Sequence, residues 1–332
     1  MKKNIAIVAG GDSSEVVVSL KSAAGLYSFM DKERYNVYIV TIVGKIWQVE
    51  WSDNEKIIID KNDFSFTCND QKTTFDFAYI TIHGTPGENG ILQGYFELIG
   101  LPYSCCGVLA AAVTFNKFTC NQYLKGFGVK VSESLVLRAG QRATNEEVAQ
   151  KIGFPCFVKP NVGGSSFGVT KVKTIDQLQP AINKAFAEGD EVMIEAFMAG
   201  TEITCGIYKT KNKTQVLPVT EVVPKNEFFD FDAKYKGEVE EITPARISDS
   251  LTERVQKLTF AIYDILGCKG IVRIDYIISE GDVINLLEVN TTPGMTTTSF
   301  IPQQVAAAGL DIKSVMTEII ENELKPLTPK GE

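Results

Sequence analysis

A short apolar run near the start of the chain constrains the fold most. Residues 5–9 are wholly apolar and are followed by Gly10-Gly11, and then by a helical spacing of apolar residues over 16–30. A strand without polar alternation is buried on both faces, as strands of parallel sheets are. Further strand-like runs at 37–43 and 75–82 alternate with helical segments. The sequence therefore predicts an α/β domain with a parallel, doubly wound sheet over residues 1–105.

The pattern changes after residue 105. Short strand-like segments around a helix near 175–187 predict a smaller α+β module over residues 106–195. Residues 196–332 form the remaining predicted unit, with strands at 201–209, 215–223, 270–278 and 282–290, a helix at 251–266 and a final helix. The polar and aromatic stretch 224–244 is long for a loop inside a domain, and we interpret it as a lid.

Composition excludes several classes of protein. The formal net charge of −8 offers no basic field for a nucleic acid, so we expect no nucleic-acid partner. The seven cysteines lack metal-ligand spacing, and the chain has one histidine, so the thiols are interpreted as reduced and the protein as cytoplasmic. No apolar run approaches the length of about 18 residues that spans a bilayer, and we expect no membrane association.

A lysine followed by a glycine- and serine-rich loop indicates phosphate binding. Lys159 ends a strand-like run, and the loop after it contains Gly163-Gly164-Ser165-Ser166 before Gly168. Backbone N–H groups of such a loop can close over phosphate oxygens, and the lysine supplies a positive charge. From these residues alone, an exposed hairpin with an unrelated lysine is an equally good interpretation.

Acidic and amide side chains on two successive strands indicate a divalent cation site. The two-residue period places Arg273 and Asp275 on one face of their strand, and Glu288 and Asn290 on one face of the next. If the strands pair as a hairpin, these oxygen ligands converge in the manner that Mg²⁺ requires. The alternative is a solvated sheet face. Apolar neighbours on both strands favour the metal site, because unpaired buried carboxylates are costly.

Three other polar positions lie where α/β sheets bind ligands. His83 ends a predicted strand and opens a glycine-rich loop, while Glu15 lies at the equivalent edge of the first strand. The hydroxyl-rich segment 291–299 directly follows the strand that carries Asn290. We interpret Phe197 as a core residue; the alternative is that its ring stacks beside a nucleotide base.

Taken in order, these motifs resemble the D-alanine–D-alanine ligases of the ATP-grasp superfamily over nearly the whole chain. The matching strings are Gly10-Gly11-x-Ser13-x-Glu15, His83-Gly84 with Gly87-Glu88-x-Gly90, Leu101-Pro102-Tyr103 followed by Lys117, Lys159-Pro160 with Gly164-Ser165-Ser166, Ile194-Glu195 with Glu202-x-Thr204, Tyr235 after Ala233-Lys234, Arg273-Ile274-Asp275, and Glu288-x-Asn290-Thr291-x-Pro293-Gly294. The resemblance implies a two-part ATP-grasp fold after the N-terminal domain. It also implies that ATP, with two Mg²⁺ or Mn²⁺, joins two D-alanines through an acyl phosphate for peptidoglycan synthesis, in a homodimer.

The resemblance also implies roles for individual residues. Nucleotide contacts would come from Lys117, Lys159 and Lys234 at the phosphates, and from Glu195, Glu202 and Phe197 at the adenosine. Metal ligands would be Asp275, Glu288 and Asn290. Glu15 would bind the ammonium group of the first substrate, and Ser165 and Tyr235 would help to close the lid over it. Arg273 and the Gly294 N–H would stabilise the developing oxyanion. Ser299 and Phe300 would lie beside the second substrate, and His83 is a further substrate contact.

One departure from the family pattern and two alternative functions accompany this interpretation. Val17 stands where many relatives have a second acidic residue, so part of the support around Glu15 is missing. The presence of Tyr235 favours the dipeptide over D-alanyl-D-lactate, although a D-lactate or D-serine ligase remains an alternative. A non-catalytic nucleotide-binding protein is the other alternative, which the full set of lysines and metal ligands disfavours.

Overall fold

The computed structural model describes residues 2–52, 55–141, 143–164, 167–224 and 239–324. Its N-terminal sheet is built around a central strand that is buried from Ile5 onward. This strand, β1 (Lys3–Gly10), pairs in parallel with β2 (Tyr35–Val43) on one side and β7 (Phe77–Ile80) on the other. The helices α1 (Val16–Phe29) and α2 (Ile91–Ile99) follow β1 and β7. The doubly wound parallel core is as predicted.

Two antiparallel strands that the sequence pattern did not predict extend this sheet. These are β3 (Ile46–Ser52) and β4 (Glu55–Ile58), which give the order β4-β3-β2-β1-β7. A separate hairpin joins β5 (Ser65–Cys68) to β6 (Gln71–Thr74). The side chains of β3, β4 and β6 are mostly exposed, so these strands contain no long apolar run that would predict them from the sequence.

The middle of the chain forms a four-stranded antiparallel sheet in the order β10-β9-β11-β8. Its strands and helices are β8 (Ser134–Arg138), α5 (Asn145–Lys151), β9 (Cys156–Pro160), β10 (Thr170–Val172), a 3₁₀ turn (Ile175–Gln177), α6 (Leu178–Phe186) and β11 (Glu191–Ala196). The buried side of α6 closes the core of this unit. Two helices precede it, α3 (Val108–Phe115) and α4 (Lys117–Lys125). Buried α3 and α4 residues such as Ala110 and Leu124 pack with the C-terminal sheet instead.

The C-terminal sheet has the order β15-β14-β12-β16-β17, with β13 paired to β12. The strands and helices of this part of the chain are β12 (Thr201–Thr210), β13 (Lys213–Val216), β14 (Thr220–Pro224), β15 (Val239–Ile242), α7 (Asp249–Ile265), β16 (Gly270–Ser279), β17 (Val283–Asn290), α8 (Phe300–Ala307) and α9 (Ile312–Leu324). Of the predicted lid, residues 225–238 lie outside the described residues. Its two flanks pair with each other as β14 and β15.

The prediction of one strand over 215–223 is wrong, and so is the prediction of a single final helix. The chain leaves the sheet between β13 and β14, where Pro218 has no N–H to donate. The Gln304 side chain fills this gap: its Oε1 accepts the Gly206 N–H at 2.9 Å and its Nε2 donates to the Thr204 carbonyl at 3.1 Å. Gly309, with φ near +70°, separates α8 from α9.

Glycine is required where β16 begins. Gly270 has φ near +69°, and a Cβ atom there would lie 1.9 Å from the Ser104 carbonyl oxygen. The backbone that ends the N-terminal unit therefore runs directly against the strand that carries Arg273 and Asp275. Within the residues described, no helix is both long enough and apolar enough to cross a membrane.

We expect Gly270→Ala to lower the free energy of unfolding by about 3 kcal/mol or more, because the new methyl group overlaps backbone that cannot move aside. Gly267→Ala is the matched control, since Gly267 has φ near +62° but no atom within 4 Å of the added Cβ. The control should lose about 1 kcal/mol for its backbone conformation alone. Urea unfolding measures both, and equal losses would contradict the packing argument.

Candidate active site

Two adjoining cavities lie where the three sheets meet. The larger, of 690 Å³, is lined by the loop after β1, by β9 and the loop that follows it, and by the facing ends of β12, β14 and β16. The smaller, of 190 Å³, extends toward segment 291–299. Glu15, Lys117, Arg273, Glu288 and Phe300 line both cavities, so the two form one continuous cleft.

A buried carboxylate lies at the centre of this cleft. Asp275 is 7% exposed and stands in register with Thr204 on β12 and Glu288 on β17, while Arg273 faces Asn290. Its Oδ1 accepts hydrogen bonds from Arg273 Nε at 2.9 Å and Thr204 Oγ1 at 2.6 Å. Its Oδ2 accepts from Arg273 Nη2 at 2.8 Å and Asn290 Nδ2 at 3.0 Å. The sheet register therefore brings together the three side chains predicted as metal ligands.

These side chains fit a divalent cation chemically. Two carboxylates and one carboxamide supply the oxygen donors that Mg²⁺ and Mn²⁺ take. Four hydrogen bonds use all four lone-pair positions of Asp275, so a cation must replace one donor. Asn290 is suited to give way, because its carboxamide carries an oxygen beside the nitrogen. Among the described residues, no three His, Cys, Asp or Glu side chains form a metal-binding group, so this donor set depends on the amide.

Arg273 balances the charge of this centre. Its burial alone would lower the pKa of the guanidinium, but the charge and hydrogen bonds of Asp275 outweigh burial and raise that pKa. The guanidinium carbon also lies 5.2 Å from the centre of the Phe300 ring. Arg273 is thus held as a permanent cation between Asp275 and the predicted second-substrate residues.

Two lysines line the larger cavity from different elements. Lys117 opens α4; its Nζ donates to the Gly163 carbonyl and lies 3.8 Å from Glu288 Oε2. Lys159 is the next-to-last residue of β9, and its Nζ donates to Glu195 Oε1 at 2.5 Å, with both side chains at least nine-tenths buried. The predicted phosphate lysine and the predicted adenosine carboxylate are therefore ion-paired in the cleft.

Aromatic and acidic side chains line the far end of the same cavity. The Phe197 and Phe157 rings lie 6.0 Å apart, and Lys171 Nζ lies 4.1 Å from the centre of the Phe197 ring. Phe197 and Glu202 both face the cavity. An aromatic ring at the wall of the cavity, with a lysine over it and a carboxylate in the same wall, suits a purine with its ribose.

Carboxylates gather at the smaller cavity. Glu15 is 4% exposed, and Gly164 lies so close that a Cβ there would be 2.9 Å from Glu15 Oε1. Glu88 Oε2 accepts the Gly84 N–H at 2.7 Å. Burial first, and then the charge of Glu15, raise the pKa of Glu88 to about 7. This end of the cleft is arranged for a cation, such as an ammonium group.

Hydrogen bonds tie segment 291–299 to α1 and to the end of β7. His83 Nε2 lies 3.4 Å from Ser22 Oγ, which accepts the Met295 N–H at 3.3 Å. Ser299 Oγ accepts the Thr296 N–H at 3.0 Å. A Cβ at Gly294 would be 3.0 Å from that oxygen, so the Gly294 backbone lies beside the Ser299 hydroxyl.

The described site residues that the sequence predicted all line the cleft. The larger cavity has Glu15, Lys117, Lys159, Glu195, Phe197, Glu202, Arg273, Asp275, Glu288 and Phe300, and the smaller adds His83, Asn290, Gly294 and Ser299. The predicted residues Ser165, Lys234 and Tyr235 lie outside the described part of the chain.

Sequence reasoning assigned no role to three residues that shape this cleft. Thr204 donates to Asp275, Glu88 faces Glu15, and Asn161 caps α4 beside Lys117. Thr204 stands two residues after Glu202, so the two-residue period of a strand places both side chains on the same face. This period could have predicted that Thr204 lies near the cleft. Glu88 and Asn161 lie in loops, where spacing says nothing about partners.

Comparison with known proteins gives consistent matches over the chain. Family models described as D-ala D-ala ligase N-terminus and C-terminus match residues 4–106 and 123–321. A D-alanine–D-alanine ligase of Bacteroides fragilis is 71% identical over 323 residues, covering 97% of this chain and 100% of that relative. Two solved structures also match, each 28% identical. D-alanyl-alanine synthetase A from Vibrio cholerae has a TM-score of 0.87, over 98% of this chain and 99% of that one; VanG D-Ala:D-Ser ligase from Enterococcus faecalis has a TM-score of 0.85, over 97% and 100%.

We expect Glu88→Gln to change how stability depends on pH. The folded state binds the Glu88 proton more tightly than the unfolded state does, because the pKa of Glu88 is raised to about 7. Ionising Glu88 therefore costs stability progressively as pH rises from about 4.5 to about 7. The variant avoids this loss, so its stability relative to wild type should increase across that range and level off above pH 7.

Urea unfolding between pH 4.5 and 8.5 measures this difference. Exposed Glu146 is the control, and Glu146→Gln should shift stability by the same small amount at every pH. A difference between Glu88→Gln and wild type that does not vary with pH would contradict the assignment.

Proposed function

The chain belongs to the D-alanine–D-alanine ligase family, and from that premise we propose how its residues divide the work of the reaction. The protein is an ATP-dependent ligase with the ATP-grasp fold, and it joins two D-alanines into D-alanyl-D-alanine for peptidoglycan synthesis. In our proposal, residues 1–105 bind amino-acid substrate, and ATP lies between 106–195 and 196–332. The observation that carries this division is the single cleft that all three segments line.

ATP occupies the larger cavity in this proposal. Glu195, Glu202 and Phe197 bind the adenosine at one end, and Lys117, Lys159 and Lys234 contact the phosphates. The ion pair between Lys159 and Glu195 supports this assignment, because it keeps two buried charges compensated until the nucleotide supplies other partners. Glycine at 163 and 164 leaves room beside Lys117 for phosphate oxygens.

Asp275, Glu288 and Asn290 would hold two Mg²⁺ or Mn²⁺. Bound there, the cations would neutralise negative charge on the triphosphate in a protein whose net charge is −8. The converging oxygen donors support the proposal, as does Lys117 Nζ 3.8 Å from Glu288, which brings the phosphate-binding and metal-binding groups together.

The reaction needs two substrate positions beside this centre. The carboxylate of the first D-alanine attacks the γ-phosphate and displaces ADP, which gives an acyl phosphate. Its carbonyl carbon then accepts the amine of the second D-alanine, which loses a proton as the amide forms and phosphate leaves. Glu15 binds the first ammonium, with Ser165 and Tyr235 closing over it. Arg273 and the Gly294 N–H stabilise the oxyanion that develops at the acyl carbon. His83, Ser299 and Phe300 border the second substrate.

Most of the catalysis in this proposal comes from positioning and charge. The γ-phosphate and the carboxylate that attacks it are both anionic, and the cleft meets them with Lys117, Lys159 and Arg273. Arg273 is already fixed by Asp275 before substrate arrives, so little reorganisation is needed when charge develops.

A second product is the alternative to consider. VanG, a D-Ala:D-Ser ligase, shares this fold at a TM-score of 0.85, so overall fold does not distinguish the acceptors. The 71% identity with D-alanine–D-alanine ligases favours D-alanine. Measuring ADP release with D-alanine alone, and with D-lactate or D-serine added as acceptor, separates the products, and D-alanine should be the preferred acceptor.

We also propose a homodimer in the cytoplasm, without a nucleic-acid or membrane partner. The adjoining helices α2 and α3 expose apolar side chains on their outer faces: Ile91, Leu98, Val108 and Leu109 are 39–88% exposed. Such a cluster is typical of a protein interface, and a second copy would cover it. All seven cysteines are unpaired, which supports a reducing compartment.

Glu288→Gln tests the metal proposal. The substitution keeps the shape of the side chain but removes a charged cation ligand, so turnover should fall by about 100-fold or more while the thermal unfolding midpoint changes little. Glu280→Gln, an exposed change in the turn between the same two strands, should leave ADP release unchanged. Unaltered turnover in Glu288→Gln would overturn the assignment.

Leu98→Glu tests the dimer surface. Leu98 is 88% exposed in the isolated chain, so a charge there should not disturb folding but should prevent apolar pairing. Sedimentation should give dimers for wild type and monomers for the variant. Ile58→Glu, at a 65% exposed apolar position on β4, is the control and should remain dimeric. A wild-type monomer, or a dimeric Leu98→Glu variant, would contradict this interface.

A further inference from the structure

A polar cluster around the buried side chain of Asn161 joins the start of α4 to the central sheet. Glu191, the first residue of β11, accepts hydrogen bonds at Oε2 from Asn161 Nδ2 at 2.7 Å and Asn116 Nδ2 at 3.1 Å. Its Oε1 accepts from Arg138 Nε at 2.9 Å. The hydrogen bond from Asn161 leads the contacts that lower the pKa of Glu191, so the acceptor stays ionised at neutral pH. Asn161 itself is 1% exposed.

Asn161 caps the N-terminus of α4 from outside the helix. Its Oδ1 accepts the Phe118 N–H at 2.8 Å, and its backbone carbonyl accepts the Lys117 N–H at 3.0 Å. The first N–H groups of a helix have no partner within the helix, so an external acceptor fixes where the helix begins. Asn116 Oδ1 caps the next N–H, that of Thr119, at 2.9 Å.

This contact connects two separately packed units. Lys117 begins a helix whose Cys120 and Leu124 pack with the C-terminal sheet, whereas β9 packs into the central unit through Cys156 and Val158. Asn161 stands two residues after Lys159 and directly contacts the turn that carries Lys117. The spacing between the two lysines is thus set through one asparagine, whose orientation is fixed by Glu191.

We propose that Asn161, oriented by Glu191, is a positioning residue that holds Lys117 and Lys159 at the separation that the ATP phosphates require. This inference rests on the proposed function, in which both lysines contact those phosphates. Displacing a charged group by about 1 Å is enough to reduce catalysis severalfold or more. The side chain acts through Lys117 and does not itself touch the nucleotide.

Reversing the polarity of the Asn161–Glu191 hydrogen bond tests the proposal. Asn161→Asp keeps the acceptor for Phe118 but places a carboxylate against Glu191, so we expect the KM for ATP to rise about tenfold, with the KM for D-alanine within about twofold of wild type. Adding Glu191→Gln gives the new carboxylate at position 161 a donor again. The double variant should recover a KM for ATP within about threefold of wild type. The rescue stays partial because Asn116 loses its charged acceptor.

Asn183→Asp is the matched control, because it makes the same change at an exposed position on α6 of the same unit, and its KM for ATP should equal that of wild type. A raised KM in Asn161→Asp that Glu191→Gln does not lower would mean that the side chain serves only packing, and would overturn the inference. An unchanged KM in Asn161→Asp would overturn it as well.

Lys117→Ala separates this inference from the proposed function. If Lys117 contacts the phosphates, this variant raises the KM for ATP, and adding Asn161→Asp to it should have little further effect. An unchanged KM for ATP in Lys117→Ala would overturn the phosphate role of Lys117, whatever Asn161 does. A raised KM in Lys117→Ala, together with a full additional increase from Asn161→Asp, would leave that role intact and overturn the positioning role of Asn161.

Discussion

The hydrogen-bonded ion pair between Arg273 and Asp275 is the interaction on which the rest of the cleft depends. Both side chains are at least nine-tenths buried on the strand β16, where either charge alone would be strongly destabilising. They are tolerated because Thr204 and Asn290 on the two neighbouring strands complete the hydrogen bonding of Asp275. A slip of one residue in either pairing would turn these donors away, so the buried charge also fixes the register of the sheet.

Around this pair, contacts between and within the three units leave little freedom. The backbone before α3 runs against Gly270, Asn161 caps α4, and Gln304 fills the gap between β13 and β14. Each contact places a charged or polar side chain at the cleft: the Gly270 contact places β16 with Arg273, the Asn161 contact places Lys117, and the Gln304 contact places β12 with Thr204. In a protein with a net charge of −8, Lys117, Lys159 and Arg273 are the cations that the described lining of the larger cavity holds among its carboxylates.

Much of the fold and site could be predicted from local pattern. The parallel core followed from the apolar run at 5–9, and the convergence of Asp275, Glu288 and Asn290 followed from the two-residue period of paired strands. The strands β3 and β4 were not predicted, because short strands with mostly exposed side chains carry weak periodicity. The sequence held one signal for the break between β13 and β14, Pro218, which lacks an N–H for the sheet. It held none for Gln304, whose side chain fills the gap from a distant part of the chain. No spacing rule could reveal that Glu88 lies against Glu15, or that Asn161 caps α4.

The sequence by itself determined the element types, the family resemblance and the oxygen-rich donor set at the end of β17, because these depend on side-chain chemistry and on periods of two and 3.6 residues. Only the tertiary structure decided which groups distant in sequence pair with one another: Lys159 with Glu195, Thr204 with Asp275, and Asn161 with Glu191. Electrostatic and hydrogen-bonding energies fall steeply with distance and depend on burial. Distances between groups tens of residues apart in sequence exist only once the sheets have packed.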